Sequence, residues 1–296
     1  MKEIKKVAIT GGTHGNELTG VYLIKKFKNN PTLIERDSFE TIFFHTNKKA
    51  IKKCVRYIDK DLNRTFNIKD LKDDDKYLYE DILAKNINAK LGPKGSKDCA
   101  VDFIVDLHST TSNMGMSIVI DNDSPLTWMA AAYAKSKNPK VNIFRWKGDT
   151  DDASFVNSIS KDGFAIEVGA VPQGVLRADI FFQTEKLIYD ILDFLDAYNR
   201  NLIKDLPKSV EIYDHIELLD YPRDENGELI AMVHPSLQDN DYSLIKKGDP
   251  LFITLEGKDI CYDKDEEVHA LFINEAAYYE KGFAMCLTKK RVIEIS

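Results

Sequence analysis

The stretch "AITGGTHGNELTG", residues 8–20, joins an apolar strand to a helix through a glycine-rich turn that carries a histidine and a glutamate. Apolar residues between Leu18 and Lys28 recur at helical spacing, so the turn lies at the carboxyl end of a predicted strand. In open α/β sheets, ligands bind at that edge. The glycines allow a sharp bend and a close approach to a bound group. They do not fit the dinucleotide fingerprint, and no Gly-Lys-Ser/Thr follows, which disfavours nucleotide binding.

The two polar residues of this turn, His14 and Glu17, form a His-x-x-Glu pair. If the turn is helical, an imidazole nitrogen and a carboxylate oxygen at this spacing converge on one point, as two ligands of a zinc ion must. The alternative is a glutamate that caps the helix beside a surface histidine. A third ligand elsewhere in the chain would favour the metal site.

The overall composition limits the classes of function. With 296 residues and 43% hydrophobic content, the chain can bury a full core in one large domain or two smaller ones. A net charge of -7 disfavours binding to nucleic acid or to an anionic membrane. No stretch approaches the ~20 apolar residues of a membrane span. The four cysteines form no C-x-x-C pair and the first residues are charged, so we expect a reduced, cytoplasmic compartment.

The order of apolar patterns predicts an α/β domain followed by a smaller β domain. Up to about residue 201, strands alternate with helices. The strands are predicted at residues 41–44, 101–107, 116–120, 142–144 and 164–168, and the helices at 18–28, 77–90, 126–137 and 178–198. The last helix runs into a polar segment interrupted by Pro207, and short β-like runs follow. We therefore predict domains at residues 1–205 and 206–296.

A second histidine ends the strand in "VDFIVDLHSTTSN", residues 101–113. The two-residue period of a strand places Asp106 and His108 on one face, so Asp106 could support the ligand environment. His108 can reach the same sheet edge as His14. A histidine satisfied by its own loop is the alternative. Together with Glu17, two imidazoles and a carboxylate with an open fourth position indicate a catalytic zinc site.

Two further stretches carry groups suited to amide hydrolysis. In "GFAIEVG", residues 163–169, Glu167 interrupts an apolar strand, which is costly unless the carboxylate is paired or faces a polar cleft. This favours a general base that activates water beside zinc, with an exposed edge strand as the alternative. In "VRYIDKDLNRTF", residues 55–66, Arg64 is suited to a substrate carboxylate and Arg56 to a scissile carbonyl. A surface loop braced by salt bridges is the alternative there.

These strings, with "IEVGAVPQGVLRAD", "YPRDENGE" and "NEAAYYEK", resemble the aspartoacylase family of zinc amidohydrolases, which is related to the zinc carboxypeptidases. The likeness runs from near Val7 to near Lys281. It implies a zinc-carboxypeptidase-like α/β domain with a mixed sheet flanked by helices. It also implies a smaller C-terminal β domain at the active-site entrance, and a homodimer.

The resemblance assigns roles residue by residue. One Zn2+ per chain would be held by His14, Glu17 and His108. Glu167 would activate the water, and Arg56 would polarise the amide carbonyl. The α-carboxylate and the rest of the substrate would contact Asn63, Arg64 and, from the second domain, Tyr278.

The predicted reaction is hydrolysis of an N-acyl amino acid, with N-acetyl-L-aspartate, giving acetate and L-aspartate, as the favoured substrate. Asn157 stands where aspartate-selective members carry an arginine, so we expect Arg145 or Lys161 to supply the charge for the side-chain carboxylate. The alternatives are a deacylase of other, neutral or aromatic, N-acyl amino acids, a peptidase, and a non-enzymatic zinc or metabolite binder. Retention of Glu167 and Arg56 argues against a binder.

Overall fold

The structure, a computed structural model, describes residues 3–148 and 152–295. Its helices are α1 (Leu18–Asn29), α2 (Lys48–Lys53), α3 (Ile68–Lys72), α4 (Tyr79–Leu91), α5 (Pro125–Lys137) and α6 (Ala178–Asn199). Its strands are β1 (Lys6–Gly11), β2 (Glu40–His45), β3 (Phe103–Ser109), β4 (Gly115–Ile120), β5 (Val141–Arg145), β6 (Asp162–Gly169), β7 (Ser209–Leu219), β8 (Ala231–Val233), β9 (Leu244–Ile245), β10 (Pro250–Thr254), β11 (Asp259–Cys261), β12 (Val268–Leu271) and β13 (Met285–Glu294). Short 3-10 turns lie at Pro31–Leu33, Leu62–Arg64, Val156–Ile159 and Ala276–Lys281. No helix within the described ranges combines the length and apolar character needed to cross a membrane.

A mixed sheet forms the centre of the molecule, as predicted. Its strands lie in the order β2-β1-β3-β6-β4-β5-β7-β13-β12-β9. Strands β2, β1, β3 and β6 are parallel, whereas β4 runs antiparallel to β6. The carboxyl ends of β1, β3 and β6 therefore meet at one edge, which brings the residues that follow them together.

Helices cover both faces of this sheet and explain the alternation in its strands. Val7 and Ile9 of β1 pack with α1, α5 and α6 in the largest core cluster, while Ala8 packs on the opposite face with α4 and two of the 3-10 turns. The same alternation in β3 turns Ile104 toward that opposite face. Asp106 and His108, which share the parity of Ile104, lie on the same side of the sheet.

The glycine-rich turn after β1 is shaped by close packing against α2. Gly12 adopts a φ of +74°, which a residue with a side chain rarely adopts. A Cβ atom on Gly15 would lie 2.1 Å from the carbonyl carbon of Ala50. This glycine therefore allows the backbone of α2, and not a bound group, to approach the turn.

The C-terminal strands fall into two sheets. β7, β13, β12 and β9 continue the central sheet, since β5 pairs in parallel with β7 through Phe144 and Tyr213. Strands β11, β10 and β8 form a separate antiparallel sheet with its own apolar core. The predicted C-terminal β unit is thus present. Its boundary at 205/206 stays a prediction, because β7 belongs to the same sheet as β1, β3 and β6.

Candidate active site

Three buried side chains converge at the carboxyl ends of β1 and β3. His14 Nδ1 lies 2.6 Å from Glu17 Oε1, and His108 Nδ1 lies 2.9 Å from Glu17 Oε2. One ligand atom from each residue lies within 4.8 Å of the others, so the three could hold one metal ion. The structure therefore brings together the residues predicted as zinc ligands from two separate strand ends.

The contacts of the two histidine Nε2 atoms indicate whether the three side chains suit a zinc ion. His14 Nε2 lies 2.9 Å from Asp61 Oδ1, and His108 Nε2 lies 2.7 Å from Asp106 Oδ2. A carboxylate accepts hydrogen bonds, so each Nε2 donates its proton to its aspartate, and each Nδ1, which faces Glu17, is the nitrogen that would bind an ion once it has lost its own proton. Carboxylates in this position orient histidine ligands in zinc proteins. Two imidazoles and one carboxylate are also the donor set of a catalytic zinc site, so the residues fit the ion.

Glu17 serves this cluster and does not cap the helix. It occupies the N-cap position of α1, but its side chain makes no capping hydrogen bond. Its oxygens instead face the two histidines and accept from Ser109 N and Arg56 Nη1. Burial alone would raise the pKa of Glu17, but the charges of His14 and His108 hold the pKa well below its usual value. The carboxylate is therefore ionised, as a metal ligand must be.

Glu167 lies beside the cluster on β6, in register with His108 on β3. Its Oε2 atom is buried and has no hydrogen-bond partner among the residues the structure describes. Burial, with the negative charges of Glu17 and Glu275, raises the pKa of Glu167 to about 8. An unpartnered carboxylate with a pKa near neutrality is suited to accept and return a proton.

Arg56 reaches the cluster from the segment that follows α2. Its Nη1 donates to Glu17 Oε1 at 3.2 Å and its Nη2 donates to Asp61 Oδ2 at 3.2 Å. Burial opposes the charge, but Asp61 and Glu17 raise the pKa of Arg56 above its ordinary value. Its Nε is buried without a partner in the described part of the chain. Arg56 thus keeps one donor for a further acceptor.

Asn63 and Arg64 lie on the 3-10 turn at Leu62–Arg64. The Asn63 amide lies 3.3 Å from His108 Nε2 and accepts from Val156 N through Oδ1. Arg64 Nη1 donates to the Asn63 carbonyl, and the guanidinium lies 5.2 Å from the ring centroid of Phe155. The turn therefore holds an amide and a guanidinium side by side next to the cluster of His14, Glu17 and His108.

The C-terminal part of the chain contributes one wall of the site. Tyr278, on the 3-10 turn at Ala276–Lys281, lines the same cavity as Glu167 and packs against Phe283 with ring centroids 4.1 Å apart. Burial and the charge of Glu167 raise the pKa of Tyr278. The buried carboxylate of Glu275 accepts from Thr111 N at 2.6 Å and from Ser112 N at 3.2 Å. These bonds fix the C-terminal turn to the loop after β3.

One cavity of about 170 Å³ lies at this site. The eight residues to which the family resemblance assigned a metal, catalytic or substrate role all line it. Four aromatic residues that pack against one another, Phe144, Trp146, Phe155 and Phe272, form part of its wall. We call this part of the cavity its aromatic end.

The expectation that Arg145 or Lys161 supplies a cation for a substrate carboxylate is wrong in this structure. Arg145 Nε and Nη2 donate to the two Asp214 oxygens at 2.9 and 2.7 Å, and the side chain lines an adjoining pocket. Lys161 lines a different pocket again. Asn157 does line the cavity, and its Nδ2 donates to Asp121 Oδ1 at 2.8 Å. The position that would hold the arginine thus presents an amide beside a carboxylate.

Comparison with known proteins places the chain in a known family. Residues 3–195 match the succinylglutamate desuccinylase/aspartoacylase catalytic domain, and residues 208–290 match the AstE/AspA barrel-sandwich hybrid domain. The chain belongs to the succinylglutamate desuccinylase/aspartoacylase family. It is 46% identical to a probable aspartoacylase of Trichodesmium erythraeum, with 100% of both chains covered.

Two mouse proteins extend the comparison within this family. The chain is 40% identical to the N-acyl-aromatic-L-amino acid amidohydrolase (carboxylate-forming) of Mus musculus, covering 96% of this chain and 90% of that protein. The crystal structure of murine aminoacylase 3 superposes with a TM-score of 0.95 at 37% identity, covering 100% of this chain and 98% of that one. The fold predicted from the family resemblance is therefore confirmed.

Two residues at the site, Lys281 and Glu80, have no distinctive pattern in the local sequence. Lys281 lines the cavity and pairs with Asp61. Glu80 is fully buried on α4 and accepts from Asn47 Nδ2 and from the backbone N–H groups of residues 58–60. It thereby holds the segment that carries Arg56. An acidic residue inside an amphipathic helix reads as a solvated position, so only the three-dimensional structure assigns this role.

Proposed function

We propose that the chain is a zinc-dependent amidohydrolase that cleaves an N-acyl amino acid into a carboxylic acid and the free amino acid. The observation that carries the proposal is Glu167, whose buried Oε2 has no partner among the described residues, beside a buried His-Glu-His cluster that lines the same cavity. A bound zinc ion supplies a Lewis acid that polarises the carbonyl and makes water more acidic. The named activities of the relatives support an acyl-amide substrate.

The chain's own residues account for the remaining steps. Glu167 removes a proton from the attacking water, whose oxygen bonds to the acyl carbon, and returns the proton to the leaving nitrogen as the C–N bond breaks. Arg56 has a free Nε donor for the negative charge that develops on the carbonyl oxygen. Asn63 and Arg64 bind the α-carboxylate, and Tyr278 closes the site from the C-terminal side.

The rest of the cavity favours a substrate side chain without a carboxylate. An anionic group buried without a cation is strongly disfavoured. Here the relevant position is Asn157, which hydrogen bonds to the Asp121 carboxylate, and Arg145 is held by Asp214. The aromatic end of the cavity suits a neutral or aromatic side chain.

N-acetyl-L-aspartate is the second candidate substrate. It is supported by the aspartoacylase relatives and by Lys281, a cation that lines the cavity. Lys281 is paired with Asp61, so an aspartate substrate would have to compete with that ion pair. This competition makes the second candidate weaker than the first.

A substrate panel with metal removal tests the proposal. The zinc-loaded protein should hydrolyse N-acetyl-phenylalanine with a kcat/KM at least ~10-fold above that for N-acetyl-aspartate or N-acetyl-glutamate. Chelation should abolish the activity and zinc should restore it. A tenfold preference for N-acetyl-aspartate would select the second candidate. No hydrolysis of any N-acyl amino acid would overturn the assignment.

We also propose a homodimer, from the family resemblance, and a cytoplasmic location, from the cysteine pattern. The four cysteines, Cys54, Cys99, Cys261 and Cys286, are free, as a reducing compartment requires. Sedimentation of the zinc-loaded protein tests the dimer directly. A monomer across the micromolar range would contradict it.

A further inference from the structure

Two polar residues at the aromatic end of the cavity each leave one oxygen unused. Asn157 Nδ2 donates to Asp121 Oδ1, and this bond fixes the orientation of the amide because the carboxylate oxygen accepts. Asp121 Oδ2 and Asn157 Oδ1 are then buried with no partner among the described residues. Buried polar atoms are normally satisfied, so two orphan acceptors side by side require an explanation.

The position of this pair corresponds to the end of a long substrate side chain. In the β4–β6 ladder Val119 pairs with Ala165, which lies two residues before Glu167, and Asp121 lies two residues beyond Val119. Four residues of extended strand span about 13 Å. Val119 and Ala165 line the cavity between the two sites, together with the ring of Phe144. A substrate held at Glu167 therefore reaches the pair only with a long side chain that is apolar along its length.

The negative charge of Asp121 disfavours an anionic end group at the pair. Burial raises the pKa of Asp121 to about 6, so the carboxylate is ionised near neutral pH. Lys94, the charged group that acts on it, donates to the Phe66 carbonyl and lies 2.7 Å from the Asp152 carboxylate.

We propose that Asp121 and Asn157 form an acceptor subsite that determines specificity for long, mainly apolar side chains ending in a hydrogen-bond donor, such as a phenol hydroxyl. This inference rests on the proposed function, since it takes the α-carboxylate and scissile amide to lie at Arg64 and Glu167. The donor of the bound side chain satisfies the orphan oxygens. A carboxylate end group faces Asp121 and is rejected.

Binding of a matched ligand pair tests the subsite apart from turnover. N-acetyl-tyrosine and N-acetyl-phenylalanine differ by one hydroxyl, and their dissociation constants are measured by calorimetry on the zinc-loaded, full-length Glu167→Gln protein. The tyrosine derivative should bind at least ~10-fold more tightly, and N-acetyl-aspartate should bind more weakly than both. Asp121→Asn keeps the shape but turns an acceptor into a donor, so it should reduce the tyrosine advantage to about threefold or less.

Asp123→Asn is the matched control, because Asp123 lies two residues away, is largely exposed and lines only the adjoining pocket. It should leave the tyrosine advantage unchanged. Equal affinity for tyrosine and phenylalanine derivatives in the parent, or loss of the advantage in both variants, would overturn the subsite. So would absence of binding by all three ligands. Binding with the predicted preference but no hydrolysis by the parent enzyme would instead overturn the proposed function alone.

Discussion

Asp106 offers a sharp test of the metal centre, because it touches a ligand and not the ion. The residue is fully buried, accepts from Thr10 Oγ1 at 2.7 Å and from Thr13 Oγ1 at 2.9 Å, and lies 2.7 Å from His108 Nε2. Asp106→Asn keeps the volume but leaves one acceptor oxygen. Threonine hydroxyls can rotate to accept from the new amide, whereas the imidazole N–H can only donate. The remaining oxygen should therefore stay on His108.

The expected effect is mainly on metal affinity. Loss of the supporting charge should weaken zinc binding roughly 10- to 100-fold, equivalent to about 1.4 to 2.7 kcal/mol. The free energy of unfolding of the metal-free protein should fall by only about 1 kcal/mol, since the hydrogen bonds are rearranged and not lost. A substitution that damaged the fold would instead lower the free energy of unfolding strongly and change the zinc affinity little.

Equilibrium competition with a fluorescent chelator measures the first quantity, and urea unfolding in excess chelator measures the second. Asp102→Asn is the matched control, because Asp102 precedes the same strand and accepts from the backbone N–H groups of Lys5 and Lys6, away from the metal. It should leave the zinc dissociation constant within about twofold of the parent value. A zinc affinity of Asp106→Asn equal to that of the control would refute the supporting role of Asp106.

Three further variants or treatments follow from the same contacts. Arg64→Lys keeps the charge but loses the planar fork, so KM for an N-acyl amino acid should rise about tenfold, and an unchanged KM would remove Arg64 from α-carboxylate binding. Glu80→Ala removes the acceptor of three backbone N–H groups and one amide, so urea unfolding should show a loss of about 3 kcal/mol or more, and a loss below about 1 would contradict that anchor. Alkylation of the folded protein should modify exposed Cys54 and Cys261 and spare Cys286, whose thiol is buried with a raised pKa; equal modification of all three would contradict its burial.

Much of the catalytic half could be predicted from the sequence, because strand ends were marked by polar residues after apolar runs. The predicted strand at 164–168 lies within β6, and the predicted helix at 178–198 matches α6 to one residue. His14 follows β1 and His108 lies near the end of β3, yet parallel pairing of the two strands brings both to one edge. The helix α3 was not predicted, because five residues are too few to show a helical period.

The aromatic end of the cavity, where the substrate side chain would lie, could not be predicted. Its residues depend on the direction of β4 and on Asp214, which is distant in sequence. β4 runs antiparallel to β6, so Asp121 at its end lies toward the opposite edge from Glu167. Arg145 was expected near the substrate because it is close to Asn157 in sequence. Pairing of β5 with β7 instead places it opposite Asp214, which accepts from its Nε and Nη2. Neither fact leaves a pattern in the local sequence.

The most direct test of the central claim is a paired measurement on Glu167→Gln, with zinc content and turnover determined on the same preparation. If Glu167 is the base and the His-Glu-His cluster alone holds the metal, the variant should retain about one zinc ion per chain and lose turnover of its best N-acyl amino acid by ~100-fold or more. Turnover near that of the parent enzyme, with zinc still bound, would contradict the account.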